Sequence, residues 1–463
     1  MNFKGSIAGS FIGRRIERLT DLINSSRQGI RDVAVSLVPL ASKAVIGFLS
    51  SILLARGLRP AGMGEYALVL SVTDTVTSLS DLGIGQTAIR YASLSVSQNE
   101  PGGQLAVLRW AFRIRIVLTG LMVVILFLAA PILGSKIWHL KDLSEPMRIG
   151  LLLPVFGVVA VLPSLYFQSL KRFGMNSTVL TVQTLLSFMG IGVIALLGLW
   201  SVPSVVTATA VAAGVGAVVF VFLIPGEALW RSRSSLQRTG EVKNSFWRIP
   251  LSDLVKNKGL DGTSAERFTV YLLLSTVIVI ITLKLDVWLM GYYLDQSQIG
   301  LYNIAARVAL PLQLLLGAFT TVLWPRASSV TKAIEAKALL KKTFKASFVV
   351  AIFGVVYLLV VPMLIPVLFG NAYEKSVILA RTIAIGYCIA ILANPISVVG
   401  YSFGMARIYW IVNLLQMTVV IVMLILLLPR LGALGAALTF VANALVGSLV
   451  NGCLVLIKAK QLQ

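Results

Sequence analysis

Apolar runs of about 20 residues recur along the whole chain, separated by short polar breaks. A helix rises about 1.5 Å per residue, so each run is long enough to cross the roughly 30 Å hydrocarbon core of a bilayer. Twelve spans are predicted: Val33–Ala55, Tyr66–Ile89, Ile116–Leu133, Gly150–Leu170, Val179–Leu199, Val205–Ile224, Val270–Met290, Tyr302–Leu323, Ala346–Leu368, Val377–Gly400, Tyr409–Leu428 and Leu434–Ile457. The pattern repeats at half-length. Leu53, Leu58, Gly64 and Tyr66 reappear as Leu289, Leu294, Gly300 and Tyr302, at a constant offset of 236. A repeat of this length in a membrane protein predicts two equivalent helix bundles around a shared central site.

The predicted organisation is a basic amphipathic segment over 1–32, a first lobe of six spans over 33–225, and a linker over 226–268. A second lobe of six spans follows over 269–457, with a short tail over 458–463. In the first segment Ile12, Ile16, Leu19 and Ile23 share one helical face, as in a helix lying in the membrane interface. No apolar run begins before Val33, so this segment does not read as a cleaved signal. The linker carries Trp230, Trp247 and Pro250 and is too short for a catalytic domain.

Polar positions inside the apolar runs are the informative ones. Asp74, Thr77, Ser78 and Asp81 follow the i, i+3, i+4, i+7 spacing and share one face of the second span. That face is expected to meet other helices or water rather than lipid. Lys43, Lys284, Arg307 and Arg381 also fall within spans. A cation at a membrane helix centre costs about 2.5–3.5 kcal/mol, so such residues are expected to face water, a counter-ion or an anionic ligand. Arg381 lies near a span end and could snorkel instead. Lys284 and Asp286 are two residues apart and point to different sides of a helix, which makes them poor partners for each other. Asp286 is therefore expected to reach a cation on another helix. The first copy of the repeat places Phe48, Ser50 and Ser71 where the second has Lys284, Asp286 and Arg307. The second copy thus carries most of the cationic chemistry.

Composition narrows the function classes. The chain has 463 residues, 57% of them hydrophobic and 13% charged, with mean hydropathy +0.90 and net charge +22. With both termini on the cytoplasmic side, the inner segments hold 29 of the Lys and Arg residues and the outer loops 7. The excess of positive charge therefore reads as membrane orientation, not nucleic-acid binding. Cys388 and Cys453 lie in apolar runs, and His139 is the sole histidine, so no disulfide framework, metal spacing or nucleophile–base pair is legible. No phosphate-binding Gly-rich motif of the ATPase type occurs, and no cofactor is expected. Prolines at 39, 154, 163, 311, 362, 366 and 395 are expected to kink spans.

Three stretches resemble the polysaccharide transporter family, the Wzx-type flippases of the multidrug/oligosaccharidyl-lipid/polysaccharide (MOP) superfamily. They are Ala55–Tyr66 leading into Leu79–Gly85, Leu283–Leu294 leading into Ile299–Arg307, and Leu368–Tyr373 with Leu431–Ala437. The resemblance implies an all-α polytopic fold of two six-helix lobes related by a pseudo-two-fold axis, with a V-shaped cavity open to one leaflet at a time. It implies a lipid-linked oligosaccharide on undecaprenyl pyrophosphate as substrate, flipped from the inner to the outer leaflet of the plasma membrane. It further implies a cation-rich cavity, which Lys43, Lys284, Arg307 and Arg381 fit, and ion coupling, for which Asp286 and then Asp74 are the candidates. Membrane lipids, a polysaccharide polymerase and chain-length proteins are the implied partners. The competing classes are a cation-coupled drug exporter, a lipid II flippase with fourteen spans, a membrane glycosyltransferase or polymerase, and a non-transporting scaffold. Drug exporters want acidic cavities, polymerizing enzymes want acidic catalytic pairs or a large outer loop, and a scaffold has no use for costly interior charges.

Overall fold

The computed structural model describes residues 5–98, 101–170, 172–224, 262–328, 333–402 and 406–461. Helices dominate it and no strand occurs among the described residues. Helix α1 spans Gly5–Asp81, α2 Ile84–Ser97, α3 Pro101–Ile132, α4 Ser144–Gly150, α5 Leu152–Ser169, α6 Phe173–Leu197 and α7 Val202–Leu223. These form the first lobe. The second comprises α8 Gly262–Tyr293, α9 Gln296–Val308, α10 Leu310–Ser328, α11 Ala333–Phe369, α12 Ser376–Ser402, α13 Ala406–Leu431 and α14 Ala433–Gln461.

Most of α1 is two crossings joined at one residue. Its apolar part, Ser42–Asp81, is 40 residues long, twice what a bilayer needs. The break is Arg59, at φ 58° and ψ 177°, directly before Pro60. Proline bars the helical conformation from the residue before it, so the turn falls where the sequence allows it. In the second lobe the equivalent turn lies at Leu294 and Asp295, between α8 and α9. Counting α1 as two crossings, and α9 with α10 as one bent crossing, the described residues supply twelve spans. The α9–α10 bend is 46°, and Pro311 explains it, because proline cannot donate to Arg307 O and its ring crowds that turn. The Tyr357 hydroxyl donates to the Val308 carbonyl beside the break.

Boundaries differ from the sequence reading at three places. The second span ends at Asp81, not at 89, because Leu82 and Gly83 adopt positive φ (38° and 80°) and α2 starts a new helix. The fourth span is preceded by the separate short helix α4. The linker expected to end at 268 already belongs to α8 from Gly262 onward; its residues 226–261 lie outside the described residues. The N-terminal segment is helical from Gly5 and continuous with the first span, while the placement of its apolar face lies outside the described side chains.

The two lobes meet in one large buried cluster that includes Leu54, Met63, Tyr66 and Leu68 from the first and Met290, Ile299, Tyr302 and Ile304 from the second. The meeting is reciprocal at the repeated glycines. A Cβ on Gly64 would lie 1.9 Å from Gln296 O, and a Cβ on Gly300 would lie 1.9 Å from Pro60 O. Pro60 and Gln296 are themselves equivalent at the repeat offset of 236, so the pseudo-two-fold axis runs between the two glycines. Only a residue without a side chain permits backbones to approach this closely.

Candidate functional site

Aromatic residues after the third span of each lobe lock the seam at the hairpin turns. Trp138, following α3, donates its indole N–H to Trp288 O of α8 at 3.1 Å and packs over Gly291. Tyr373, following α11, donates its hydroxyl to Ala55 O of α1 at 2.9 Å. Ala55 and Gly291 are again equivalent at offset 236, so each lobe inserts an aromatic side chain into the other lobe's hairpin. Arg56 adds a two-pronged contact, with Nε 2.9 Å from Leu368 O and Nη2 2.8 Å from Val367 O. Satisfying last-turn carbonyls with a guanidinium joins the lobes and caps α11 at once.

Deeper along the seam, away from the turns, the polar residues of the spans come together. Lys284 Nζ of α8 lies 2.9 Å from Asp74 Oδ2 of α1, an ion pair that bridges the two lobes. The Asp74 side chain is 57% exposed and that of Lys284 28%, so the pair faces open space rather than packed core. One turn nearer the hairpin, Trp288 Nε1 donates to Ser71 Oγ at 3.1 Å, a second polar link between the same helices. On the facing helix Arg307 donates through Nε to Asn303 Oδ1 at 2.8 Å, and its guanidinium lies 6.0 Å from the centre of the Tyr66 ring of the opposite lobe. That distance is the outer limit of an effective cation–π contact.

Asp286 departs from the sequence expectation. It does not reach a cation on another helix. Its carboxylate accepts from the Tyr302 hydroxyl at 2.7 Å and from the Val287 backbone N–H at 2.7 Å. The acid that pairs with Lys284 is Asp74, 210 residues away. The expectation that Lys284 and Asp286 do not pair agrees with the geometry.

The stripe on the second span is an open face of the helix. Asp74 and Thr77 are exposed and Ser78 and Asp81 half-buried, while Thr75, Val76 and Ser80 between them are buried. At its far end Asp81 Oδ1 accepts from Arg115 Nη1 at 2.7 Å and from the Gly85 backbone N–H at 3.1 Å. The Arg115 side chain is 11% exposed and its Nε has no hydrogen-bond partner. Arg115, counted by sequence with the inner-segment cations, is thus an interior residue of the first lobe. Its position at the edge of the apolar run 116–133 hid this, and the acid one helix away at Asp81 was the available signal.

The remaining two predicted cations do not join the cluster. Lys43 is exposed near the start of the described side chains. Arg381 shares an exposed face of α12 with Ile378 and Ile385, and its Nε lies 3.3 Å from Leu358 O of α11. Among the described residues no group of three or more metal-ligating side chains occurs.

The seam also holds an apolar groove of about 550 Å³ between α1, α3 and α8. Its walls include Val72 and Leu79, Met122 and Leu126, and Leu285 and Trp288. Sequence periodicity could not reveal it, because a groove wall and a lipid-facing surface share the same composition.

Residues 30–331 match the model of the polysaccharide biosynthesis protein family, and the chain belongs to that family. No curated protein matches the chain by sequence. The fold is that of MOP-superfamily transporters. An inward-facing multidrug resistance MATE transporter superposes with TM-score 0.66 at 14% identity, over 92% of this chain and 98% of the other. The lipid II flippase MurJ in an inward closed conformation gives 0.67 at 12% identity, over 92% and 87%. A MOP transporter from Pyrococcus furiosus with a binding pocket of reversed polarity gives 0.60 at 12%, over 94% and 95%. The chain is therefore a multi-pass membrane protein of polysaccharide biosynthesis with a transporter fold.

Proposed function

We propose that this protein flips an anionic lipid-linked oligosaccharide, a repeat unit on undecaprenyl pyrophosphate, from the cytoplasmic to the outer leaflet of the plasma membrane by alternating access. The observation that carries the reading is the Asp74–Lys284 pair, which spans the two lobes and faces open space. A diphosphate has the charge and the oxygen geometry to replace the Asp74 carboxylate at Lys284. Arg307 on the facing helix is the second cation for the headgroup, while Lys43 and Arg381 lie outside this cluster. Displacing Asp74 unties the lobes and leaves a free, exposed carboxylate. Substrate binding and proton or cation uptake at Asp74 are then two sides of one exchange. Asp286, held by Tyr302, is the second coupling site.

Orientation follows from charge: leaving out Arg115, the inner segments still hold 28 cations against 7, so the termini are cytoplasmic and the Arg59 and Asp295 turns face outward. On this reading the locked end of the seam is the outer end, and the cavity opens inward. Outward movement of each negative charge gains about 2.3 kcal/mol per 100 mV of inside-negative potential. A glycan cannot cross hydrocarbon with its hydroxyls unpaired, so it must travel in the cavity while the tail remains in lipid.

The test is deletion of the protein followed by analysis of the cytoplasmic leaflet. The reading expects a lipid-linked repeat unit to accumulate there and surface polysaccharide to disappear. Intact surface polysaccharide with no accumulation would overturn it.

A further inference from the structure

The polar stripe of the second span ends in a small pocket of the first lobe. About 150 Å³ of space lies between Asp81 at the end of α1, the start of α2, and the helices α3 and α5. That is room for about five waters at roughly 30 Å³ each, or for one sugar ring. Asp81 lines this pocket and follows Asp74 by seven residues, about two helical turns. The pocket therefore opens on the face of α1 that carries the ion pair, about 10 Å further along the axis. Thr77, exposed between the two acids, keeps that face polar. Such a face meets water or a ligand rather than lipid.

The walls combine unspent donors with unspent acceptors. Arg115 is only 9% exposed, and its Nε has no hydrogen-bond partner. Asp81 commits Oδ1 to Arg115 and to the Gly85 N–H, and among the described residues its Oδ2 accepts nothing. Gln168 donates through Nε2 to Ser164 Oγ, and its Oε1 accepts nothing among the described residues. The Gln86 side chain, on the exposed side of α2, makes no hydrogen bond among them either. Ile89, Val161 and Leu165 add an apolar wall. The acid and the guanidinium cancel in charge, so a cation placed here meets Arg115 and an anion meets Asp81. A neutral polyol has neither conflict. Its hydroxyls donate to carboxylate and amide oxygens and accept from guanidinium and amide N–H groups, while the C–H face of its ring covers the apolar wall.

We propose that this pocket binds a neutral sugar ring of the lipid-linked oligosaccharide, one close to the diphosphate, while the diphosphate engages Lys284. The proposal rests on the flippase reading and adds a site that reads the identity of the glycan. A sugar whose hydroxyls point elsewhere leaves Asp81 Oδ2 or Arg115 Nε unpaired in a partly closed site, which is how such a site rejects it.

The test is native mass spectrometry of the purified full-length protein with undecaprenyl diphosphate, bare or carrying a single glucose, galactose, N-acetylglucosamine or N-acetylgalactosamine. The proposal expects at least one glycosylated carrier to bind about tenfold more tightly than the bare carrier, the gain of about one net hydrogen bond. Gln168→Leu brings that ratio to within about twofold, and so does Gln86→Leu at an exposed position that packing does not use. Lys284→Met weakens bare and glycosylated carriers alike and leaves the ratio unchanged. Glycosylated carriers that all bind no more tightly than the bare one, or a ratio that both glutamine variants leave intact, overturns the proposal. A sugar preference in a protein whose deletion causes no accumulation removes the flippase reading and keeps the sugar site. Accumulation on deletion without any sugar preference keeps the flippase reading and removes the site.

Discussion

The reciprocal glycine contact makes a prediction that depends on symmetry. Replacing Gly64 with Ala puts a methyl group 1.9 Å from Gln296 O, and ordinary contact begins at 3.4 Å, so α1 and α9 must separate by up to 1.5 Å locally. The obstacle is backbone, which has no rotamer to escape into. Overpacking of this kind costs about 1–3 kcal/mol. Gly300→Ala meets Pro60 O at the same 1.9 Å and should cost about the same. The double variant should cost much less than the sum, because the separation forced by the first methyl already makes room for the second. Thermal unfolding of the four proteins in one detergent, followed by tryptophan fluorescence, measures the cycle. A destabilised pair of single variants with a double variant close to either one supports the account. Strictly additive losses, or a neutral Gly64→Ala beside a severe Gly300→Ala, would refute the claim that the two contacts are one symmetric crossing.

Other consequences follow from the seam and the first lobe. Asp81→Asn weakens the counter-charge of a mostly buried Arg115 and, because the Asp81 side chain is 38% exposed, should destabilise the first lobe by about 1–2 kcal/mol, whereas Asp81→Asn with Arg115→Met recovers most of the loss in the same melt. The Asp74–Lys284 pair is more open. A double-mutant cycle with Asp74→Asn and Lys284→Met should give a coupling of about 1 kcal/mol or less in unfolding, with a much larger effect on transport. Arg381→Leu should keep transport close to wild type in a complementation assay, since among the described residues its guanidinium reaches only the Leu358 carbonyl of its own lobe.

How much of this was legible in the sequence differs by feature. The hairpin repeat made Gly64 the counterpart of Gly300, and the structure sets the two against the opposite hairpins, where close backbone approach requires glycine. The spacing of Asp74, Thr77, Ser78 and Asp81 gave the open face of the second span, since helical periodicity is a local property. Partner choice was not local. Whether Asp74 or Asp286 meets Lys284 depends on how two helices 210 residues apart are rotated against each other. The same holds for Trp138 and Tyr373, whose equivalence becomes visible only when both are found docked on the opposite lobe at Ala55 and Gly291. The burial of Arg115 was not legible because a cation at the end of an apolar run looks the same whether it flanks the membrane or turns inward to an acid.

The central claim is that Lys284 takes the anionic headgroup in exchange for Asp74. It is tested most directly by reconstituting the protein in liposomes with a lipid-linked oligosaccharide and following accessibility of the glycan to an external glycosidase. The account predicts time-dependent exposure of the inner-leaflet glycan, loss of at least tenfold in rate for Lys284→Met, and substantial retention for Lys284→Arg, which keeps the charge. Wild-type rates in Lys284→Met at equal protein abundance would contradict it.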